Sequence, residues 1–295
     1  MANLKQIRTR IGSVKSTQKI TRAMKLVAAA RLRRAQENIT KLRPYAVKTM
    51  EVISSVAARI PEGEAPHPLL AKKDEIESVL LVVLTSDRGL AGAFNANIEK
   101  AAYKRWKELE AEGKRVEFAV IGRKGKEFLE RRGAKIARDI TGVFEDPTIE
   151  KAGEIARSIA DAYVASAETG EKLDACYLIY NEFKSAISQE VIVEPLLPIV
   201  PKELDEGDVA ELLYEPNEAD LLETLLPLYL EVEIYRAVLE SVASEHGARM
   251  TAMDAATNNA SDMIEKLTLV YNRARQAAIT TELTEIISGA ETLNG

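Results

Sequence analysis

The fold is decided by one long C-terminal stretch, LLETLLPLYLEVEIYRAVLESVASEHGARMTAMDAATNNASDMIEKLTLVYNRARQAAITTELTEII, residues 221–287. Apolar residues recur along it in steps of four and three, which is the spacing of a coiled-coil seam. Its only breakers are Pro227, which is expected to kink the helix near its start, and Gly247. A helix of about 70 residues would be roughly 100 Å long, so its apolar stripe needs a partner along its length. The predicted seam comprises Leu221, Leu225, Leu228, Val232, Tyr235, Leu239, Val242, His246, Arg249, Met253, Thr257, Ala260, Ile264, Leu267, Tyr271, Ala274 and Ala278.

A second stretch with a helical stripe runs from Leu4 to Ile60 and is interrupted only by Gly12 and Pro44. Pro44 is expected to kink or split this helix, because proline removes a backbone donor and clashes with the preceding turn. Both stretches join the same central block, one entering and one leaving it. We therefore expect them to pair as an antiparallel coiled coil. The predicted seam of the first stretch comprises Leu4, Ile7, Ile11, Val14, Ile20, Met24, Val27, Leu32, Ala35, Ile39, Leu42 and Ala46.

The central block alternates strand-like and helix-like patterns. It opens with Ser78–Thr85, SVLLVVLT, a continuous apolar run of strand length. Strands that alternate with helices predict a mostly parallel, Rossmann-like sheet, and the last two strands are close enough in sequence to form a hairpin. The predicted strands are 78–85, 116–121, 134–139, 175–180 and 189–195, and the predicted helices are 93–111, 124–132 and 149–166.

The predicted fold class is therefore α/β, a central Rossmann-like domain joined to a long antiparallel coiled coil of the terminal helices. The expected organisation is an N-terminal coiled-coil helix over 1–60, a linker over 61–77, the α/β domain over 78–200, a second linker over 201–217 and the C-terminal coiled-coil helix over 218–290.

Charge is distributed unevenly along the chain. Residues 1–43 contain twelve Lys and Arg but one acid, Glu37, whereas the whole chain has a net charge of −6. Such asymmetry indicates a surface for an acidic partner, with a solvated basic helix face as the alternative. The single cysteine, Cys176, excludes a disulfide framework and suggests a reducing compartment. The start of the chain lacks the apolar core of a signal peptide, and no apolar run has the length of a membrane span.

Sites for chemistry are weakly supported. The loop Ser86–Gly92, SDRGLAG, follows the first strand where a phosphate-binding loop would stand, but it matches neither G-x-G-x-x-G nor a P-loop. The two histidines, His67 and His246, are far apart in sequence and belong to no ligand cluster. Cys176 lies in a predicted strand with no base nearby in sequence. We predict no cofactor, no metal site and no catalytic residue.

Polar residues interrupt the C-terminal stripe near its middle. They can fix the register of a helix pair, as a buried asparagine does, or contact a third partner where the pair is surrounded. The sequence leaves both readings open. The residues are His246, Arg249, Asn258 and Asn259.

Four ordered motifs together resemble the gamma-subunit family of the F-type ATP synthases, over essentially the whole chain. The last motif contains the pattern I-T-x-E-x-x-E-x-x-x-G-A, beginning at Ile279. The motifs are KITRAMKLVAAARLRRAQ (19–36), TSDRGLAGAFN (85–95), SEHGARMTAMDAATNNA (244–260) and LVYNRARQAAITTELTEIISGA (269–290).

This resemblance implies a rotor. In that family the terminal helices form a shaft inside a ring of three alpha and three beta subunits, and the α/β domain meets the epsilon subunit and the membrane ring of c subunits. ATP chemistry belongs to the ring. The resemblance also implies peripheral association with the cytoplasmic side of a bacterial inner membrane. Thiol regulation is not expected, because the cysteine-bearing insertion of the chloroplast branch is missing.

The resemblance also assigns roles to individual positions. Met24 would face a beta subunit, and the DRGLAG loop with Asp87 and Arg88 would lie near beta and epsilon contacts. Tyr214 is expected near the c-ring. The basic residues of the first helix, Arg31, Arg33 and Arg34 among them, would meet acidic segments of the beta subunits. The residues expected to contact the ring from the last helix are Arg275, Gln276, Thr280 and Glu282.

Two other classes compete with a rotor subunit. A nucleic-acid-binding protein with a basic helical arm would use the same positive charge for phosphate contacts. However, residues 1–43 contain no aromatic side chain for base stacking, and the remainder of the chain is acidic. A nucleotide-binding α/β enzyme ranks third, because the DRGLAG loop lacks the residues that such a site needs.

Overall fold

The computed structural model describes residues 4–57, 67–71, 73, 75–169, 173–201 and 218–294. Two helices dominate it, α1 with 54 residues and α5 with 77. Smaller helices alternate with five strands between them, as the sequence predicts. In chain order the elements are α1 (Leu4–Ala57), a 3₁₀ turn (Pro68–Leu70), β1 (Ser78–Leu84), α2 (Phe94–Ala111), β2 (Arg115–Ile121), α3 (Arg123–Glu130), β3 (Ile136–Ile140), α4 (Ile149–Thr169), β4 (Ala175–Phe183), β5 (Gln189–Leu197) and α5 (Glu218–Asn294).

The chain divides into two compact units. The terminal unit consists of Met1–Ala28 and Met250–Gly295, and the central unit is Ala29–Arg249. The domain boundaries expected from the sequence stay a prediction, since residues 61–66 of the first predicted linker and residues 202–217 of the second lie outside the described residues.

In the terminal unit, α1 and α5 form an antiparallel pair. Residues 18, 21 and 25 of α1 pair with residues 261, 257 and 254 of α5, so the two helices run in opposite directions, as predicted. The contacts are polar as well as apolar. The side-chain pairs that join the helices include Gln18 with Ser261 at 2.6 Å, Thr21 with Thr257 at 2.7 Å and Lys25 with Asp254 at 2.6 Å.

The seam of α1 departs from the prediction between positions 18 and 28. Ile20 and Val27 were predicted in the seam but are 57% and 56% exposed, whereas Thr21 and Ala28 are buried. A strict heptad count from Leu4 and Ile7 leads to Gln18, Thr21, Lys25 and Ala28, so spacing rather than apolar character sets the seam here. Ile20 and Val27 lie on the exposed face of α1, and half-buried Met24 lies beside them.

The seam of α5 in the terminal unit agrees with the prediction. Met253 and Ala260 are buried, and the later seam positions are half-buried. Their neighbours outside the seam are mostly exposed, as expected for a helix with one partner. The half-buried members are Thr257, Ile264, Leu267, Tyr271, Ala274 and Ala278.

The central unit contains a five-stranded sheet in the order β3-β2-β1-β4-β5. The first four strands are parallel, and β5 returns antiparallel to β4 as a hairpin, which confirms the predicted α/β class. All seven residues of β1 are buried, which explains why its sequence is a continuous apolar run. Helices α2, α3 and α4 provide the crossover connections that parallel strands require.

Within the central unit, helix α5 is covered on every side over residues 237–248. All side chains from Ala237 to Ala248 are buried, so a single seam does not describe this segment. The predicted seam positions Leu221 and Leu225 are half-buried, while the adjacent Leu222 and Leu226 are almost fully buried. Sheet residues pack against α5 here in addition to the other long helix, and this contact cannot be read from a helical repeat.

Helix α1 is not split at Pro44. It continues as one helix from Leu4 to Ala57, with Pro44 inside it. Buried Ala46, Met50 and Ile53 hold the segment after the proline within the central unit. Packing therefore offsets the lost backbone hydrogen bond, which costs about 3 kcal/mol in an isolated helix.

Gly122 fixes the junction of β2 and α3. Its φ is +100°, and a methyl group there would overlap the carbonyl of Thr85. We expect Gly122→Ala to lower the free energy of unfolding by about 3 kcal/mol or more, because backbone strain and steric overlap add. Gly113→Ala is the matched control: its φ is +78° but its surroundings are open, so about 1 kcal/mol is expected. Equal melting temperatures for the two variants would contradict this explanation.

Candidate interaction surfaces

The last turns of α5 expose an apolar stripe. Every side chain from Ile279 to Ala290 is exposed. Four of these residues lie three or four positions from one another along the helix (279, 283 and the adjacent pair 286 and 287) and share one face. Their exposed fractions are 49% for Ile279, 55% for Leu283, 62% for Ile286 and 58% for Ile287. A contiguous exposed apolar stripe of this kind is typical of an interaction surface.

The polar residues that the resemblance assigns to this helix end are also exposed. Arg275, Gln276, Thr280 and Glu282 lie on the surface of the terminal unit, and no ion pair to them occurs among the described residues. Their side chains are therefore accessible to a partner. Whether they contact one stays a prediction.

A second apolar surface lies on the outer face of α1 in the terminal unit. Ile20, Leu26 and Val27 are more than half exposed, and Met24 is half-buried beside them. Basic Lys19 and Arg22 flank the patch and are exposed. The sequence prediction did not identify Leu26 as a surface residue, and it placed Ile20 and Val27 in the seam. A strict heptad count from Leu4 and Ile7 would have left all three residues outside the seam.

The arginines of α1 in the central unit point to solvent. Arg31, Arg33 and Arg34 are exposed, and Arg33 forms an ion pair with Glu37 at 3.0 Å, one helical turn away. Such a pair stabilises the helix by less than about 1 kcal/mol, so it leaves the guanidinium free to exchange partners.

The DRGLAG loop follows β1 at the carboxyl edge of the sheet. Asp87 accepts hydrogen bonds from the backbone N–H of Arg123 at 3.0 Å and of Gly142 at 2.9 Å, so it ties the loop to two neighbours. Arg88 forms a 2.6 Å ion pair with Glu145. Leu90 has a φ of +65° and is 66% exposed, an unusual conformation for a bulky residue. Asp87 thus fixes the loop, while Arg88 and Leu90 form its surface.

The polar residues inside the α5 stripe divide into two groups. His246 is 3% exposed in the central unit, and Arg249 pairs with Glu245 at 2.7 Å and donates to the Gly89 carbonyl at 3.1 Å. These residues serve internal packing. Asn258 and Asn259, in the terminal unit, are exposed and accessible to a partner.

Burial lowers the pKa of His246 to about 4, and the charges of Arg249 and Arg31 act in the same direction. The imidazole is therefore neutral in the folded protein at neutral pH. The stability that this provides is present above the unfolded pKa near 6.5 and is lost as the pH falls towards 4. Burial raises the pKa of the neighbouring Glu245, which has the opposite effect on stability as the pH falls.

We expect His246→Gln to remove part of the acid sensitivity of folding. The variant cannot take up this proton, so the parent should lose about 3 kcal/mol more than the variant between pH 6.5 and pH 4. Glu245 is present in both proteins, so the effect of its own burial is common to both stability curves. Denaturant unfolding at several pH values measures the difference. Parallel stability curves would show that His246 is not the titrating group.

Two further observations concern sites and membranes. The described parts of the chain contain no group of three or more His, Cys, Asp or Glu placed to hold a metal ion. Among the described helices, none combines the length and apolarity needed to cross a bilayer. Tyr214, predicted near a membrane ring, lies outside the described residues.

The fold and these surfaces define a class of protein: a subunit that presents a two-helix shaft and a doubly wound domain to other chains. A family model described as ATP synthase matches residues 3–293. Relatives called ATP synthase gamma chain from Geobacter metallireducens and Geobacter sp. are 52% and 51% identical, each over 100% of both chains. A relative of the same name from Sorangium cellulosum is 50% identical over 99% of both.

Solved structures agree in fold. A chain in the central stalk and c-ring of the Tetrahymena thermophila mitochondrial ATP synthase matches with a TM-score of 0.58 and 27% identity, over 80% of this chain and 99% of that one. A chain in the Euglena gracilis mitochondrial ATP synthase matches with a TM-score of 0.63 at 20% identity, over 98% and 94%.

This chain belongs to the gamma-chain family of the F-type ATP synthases. The predicted family is thereby confirmed, and the comparisons give no support to the nucleic-acid-binding alternative.

Proposed function

We propose that the chain is the rotor of a proton-driven ATP synthase and that it carries no catalytic site itself. Rotation of the chain would move the beta subunits, which hold the ATP chemistry, through their conformational states. The observation that carries this proposal is the exposed apolar stripe Ile279–Ile287 at the end of α5. An apolar stripe at the narrow end of one helix is better suited to a contact that turns inside a ring than to a flat, fixed interface.

The remaining surfaces have proposed partners of matching chemistry. Met24 and the outer apolar stripe of α1 would face the beta subunits, and Arg275, Gln276, Thr280 and Glu282 would make polar contacts with the ring from α5. Arg31, Arg33 and Arg34 would meet acidic beta-subunit segments. Arg88 and Leu90 supply an exposed contact beside the beta and epsilon subunits, with Asp87 holding their loop in shape.

We place the chain at the cytoplasmic side of a bacterial inner membrane, held there through the c-ring. The relatives with the highest sequence identities reported above are bacterial, which supports this placement. Tyr214 is the proposed contact with the c-ring. Fractionation of native membranes is the direct check: the chain should leave with the ATPase when the membrane is washed at low ionic strength, and it should need no detergent.

The basic surface of α1 provides a test of the proposal. Single arginine substitutions should be mild, because each exposed ion pair contributes at most about 1 kcal/mol. Replacing Arg31, Arg33 and Arg34 together by Ala should weaken reconstitution with alpha and beta subunits by about tenfold, and added salt should reduce the difference between variant and parent. ATPase activity recovered on titrating the chain into alpha and beta subunits measures this.

The control is a triple substitution of exposed lysines on α2, Lys100, Lys104 and Lys107, to Ala, which removes equal charge from another surface. Equal weakening in both triple variants would indicate a general effect of charge. A parent chain that neither binds alpha and beta subunits nor changes their ATPase activity would refute the proposed function.

A further inference from the structure

Strand β4 extends beyond its parallel neighbour. The β1–β4 pairing ends at Val83 and Ile179, whereas β4 continues to Phe183. On its other edge β4 stays paired with β5 as far as Phe183 and Gln189. One edge of residues 180–183 is therefore left without a strand. Buried backbone groups at such an edge must find other partners or lose stability.

Side chains of α5 supply these partners. The N–H of Asn181 donates to Ser241 Oγ at 3.3 Å, and Ser244 Oγ donates to the Asn181 carbonyl at 3.3 Å. The N–H of Phe183 donates to Glu240 Oε2 at 2.9 Å. Alternate strand residues direct their N–H groups to the same edge, and residues three or four apart share one helix face. The two-residue repeat of β4 and the three-to-four-residue repeat of α5 therefore bring these groups together, and three α5 side chains occupy the place of a neighbouring strand.

These bonds are shielded from water. Ser241 and Ser244 are 0% exposed, Asn181 is 1% exposed and Glu240 is 6% exposed. Removing one partner of such a bond is costly, because water cannot replace it. One turn further along α5, a Cβ at Gly247 would lie 3.1 Å from the Phe183 ring and 3.2 Å from the Ala186 Cα. The helix and the end of β4 are thus in close contact over two turns.

We propose that Glu240, Ser241 and Ser244 clamp α5 to Asn181 and Phe183 of β4, and that this clamp transmits torque between the sheet and the shaft helix. Apolar packing resists separation but has no preferred direction, so a helix can turn against it by small repacking steps. Directional bonds to a strand resist rotation about the helix axis. The inference rests on the proposed rotor function, and it makes Glu240, Ser241 and Ser244 positioning residues for coupling.

The test uses the chain assembled with alpha and beta subunits, the ring being immobilised and a bead attached to the central unit. A cysteine at exposed Lys104 on α2 carries the bead, since Cys176 is buried and unreactive. In Ser241→Ala with Ser244→Ala, the variance of the bead angle without ATP should rise at least twofold. Glu240→Ala should behave likewise, whereas Glu240→Gln, whose amide oxygen can accept the same bond, should stay near the parent.

Thr49→Ala is the matched control. Thr49 is a buried hydroxyl of the same unit, but it donates to Tyr45 within α1 and not to the sheet. Its variance should equal that of the parent. If the clamp served stability alone, Ser241→Ala with Ser244→Ala and Glu240→Ala would lower the melting temperature without changing the angular variance of the assembled molecules. Unchanged variance in the double variant, or an equal rise in Thr49→Ala, would overturn the proposal.

Amide hydrogen exchange of the chain gives a readout that is independent of rotation. Protection of the Asn181 amide should fall at least tenfold in Ser241→Ala with Ser244→Ala, and protection of the Phe183 amide should fall likewise in Glu240→Ala. Unchanged exchange at both amides would refute the clamp itself. A parent chain that does not rotate with ATP would instead refute the proposed function.

Discussion

Steady-state ATP hydrolysis is expected to fall at least tenfold when a cysteine at position 24 is joined by a disulfide to a facing beta subunit, and to return on reduction. Met24 is half-buried and lies beside the exposed Ile20 and Val27 of α1. A covalent tie there blocks every later turn while leaving the catalytic sites of the ring intact. Full recovery with a thiol reductant distinguishes a rotational block from damage.

The matched control is the position-24 cysteine without its partner cysteine, treated with the same oxidant. Its activity should be unchanged. The tie belongs at this position and not at the end of α5, because the last helical turns could unwind around a cross-link. Full steady-state hydrolysis with complete cross-linking at position 24 would show that the chain is a static scaffold.

The second large effect is expected at the end of α5. Replacing Ile279, Leu283, Ile286 and Ile287 together by Ser should weaken binding to alpha and beta subunits by about a thousandfold. About half of each side chain is already exposed, so the buried remainder contributes little to folding. Covering the exposed part in a ring is worth about 1 kcal/mol for each residue, or about 4 kcal/mol in all.

The control is Thr281→Ser with Thr284→Ser. Both hydroxyls donate to carbonyls of α5 itself, at Ala277 and Thr280, so serine keeps these bonds. Binding in this control should match the parent. Titration of the chain into alpha and beta subunits, followed by separation of free and bound chain, measures both. Parent-like binding of the quadruple variant would mean that the stripe is not covered in the complex.

Much of the fold could be predicted because its signals are local. β1 is buried on both sides of the sheet, so its sequence is a continuous apolar run. The α5 seam in the terminal unit has one partner, so its repeat of four and three survives intact from Met253 to Ala278. The ends of several strands and helices differ from the predicted bounds. The largest strand shift is in β4, which extends to Phe183, beyond the predicted Tyr180, and the α5 side chains that satisfy this extension are distant in sequence.

The remaining features depend on contacts that a repeat does not encode. The seam of α1 passes through Gln18 and Thr21, which form hydrogen bonds with Ser261 and Thr257, and a search for apolar residues passes over such positions. Burial all round α5 from Ala237 to Ala248 follows from packing on the sheet. Exposure of the predicted contact residues agrees with surface roles, but the partners that would give them those roles are other chains.

Direct observation of rotation tests the central claim. Alpha and beta subunits are immobilised with the parent chain, and a bead is attached through a cysteine at Lys104, an exposed position on α2. The rotor account predicts that ATP drives continuous rotation of the bead in one direction, and that the position-24 disulfide stops it until reduction. A bead that shows no directional motion while the same complexes hydrolyse ATP would contradict the account.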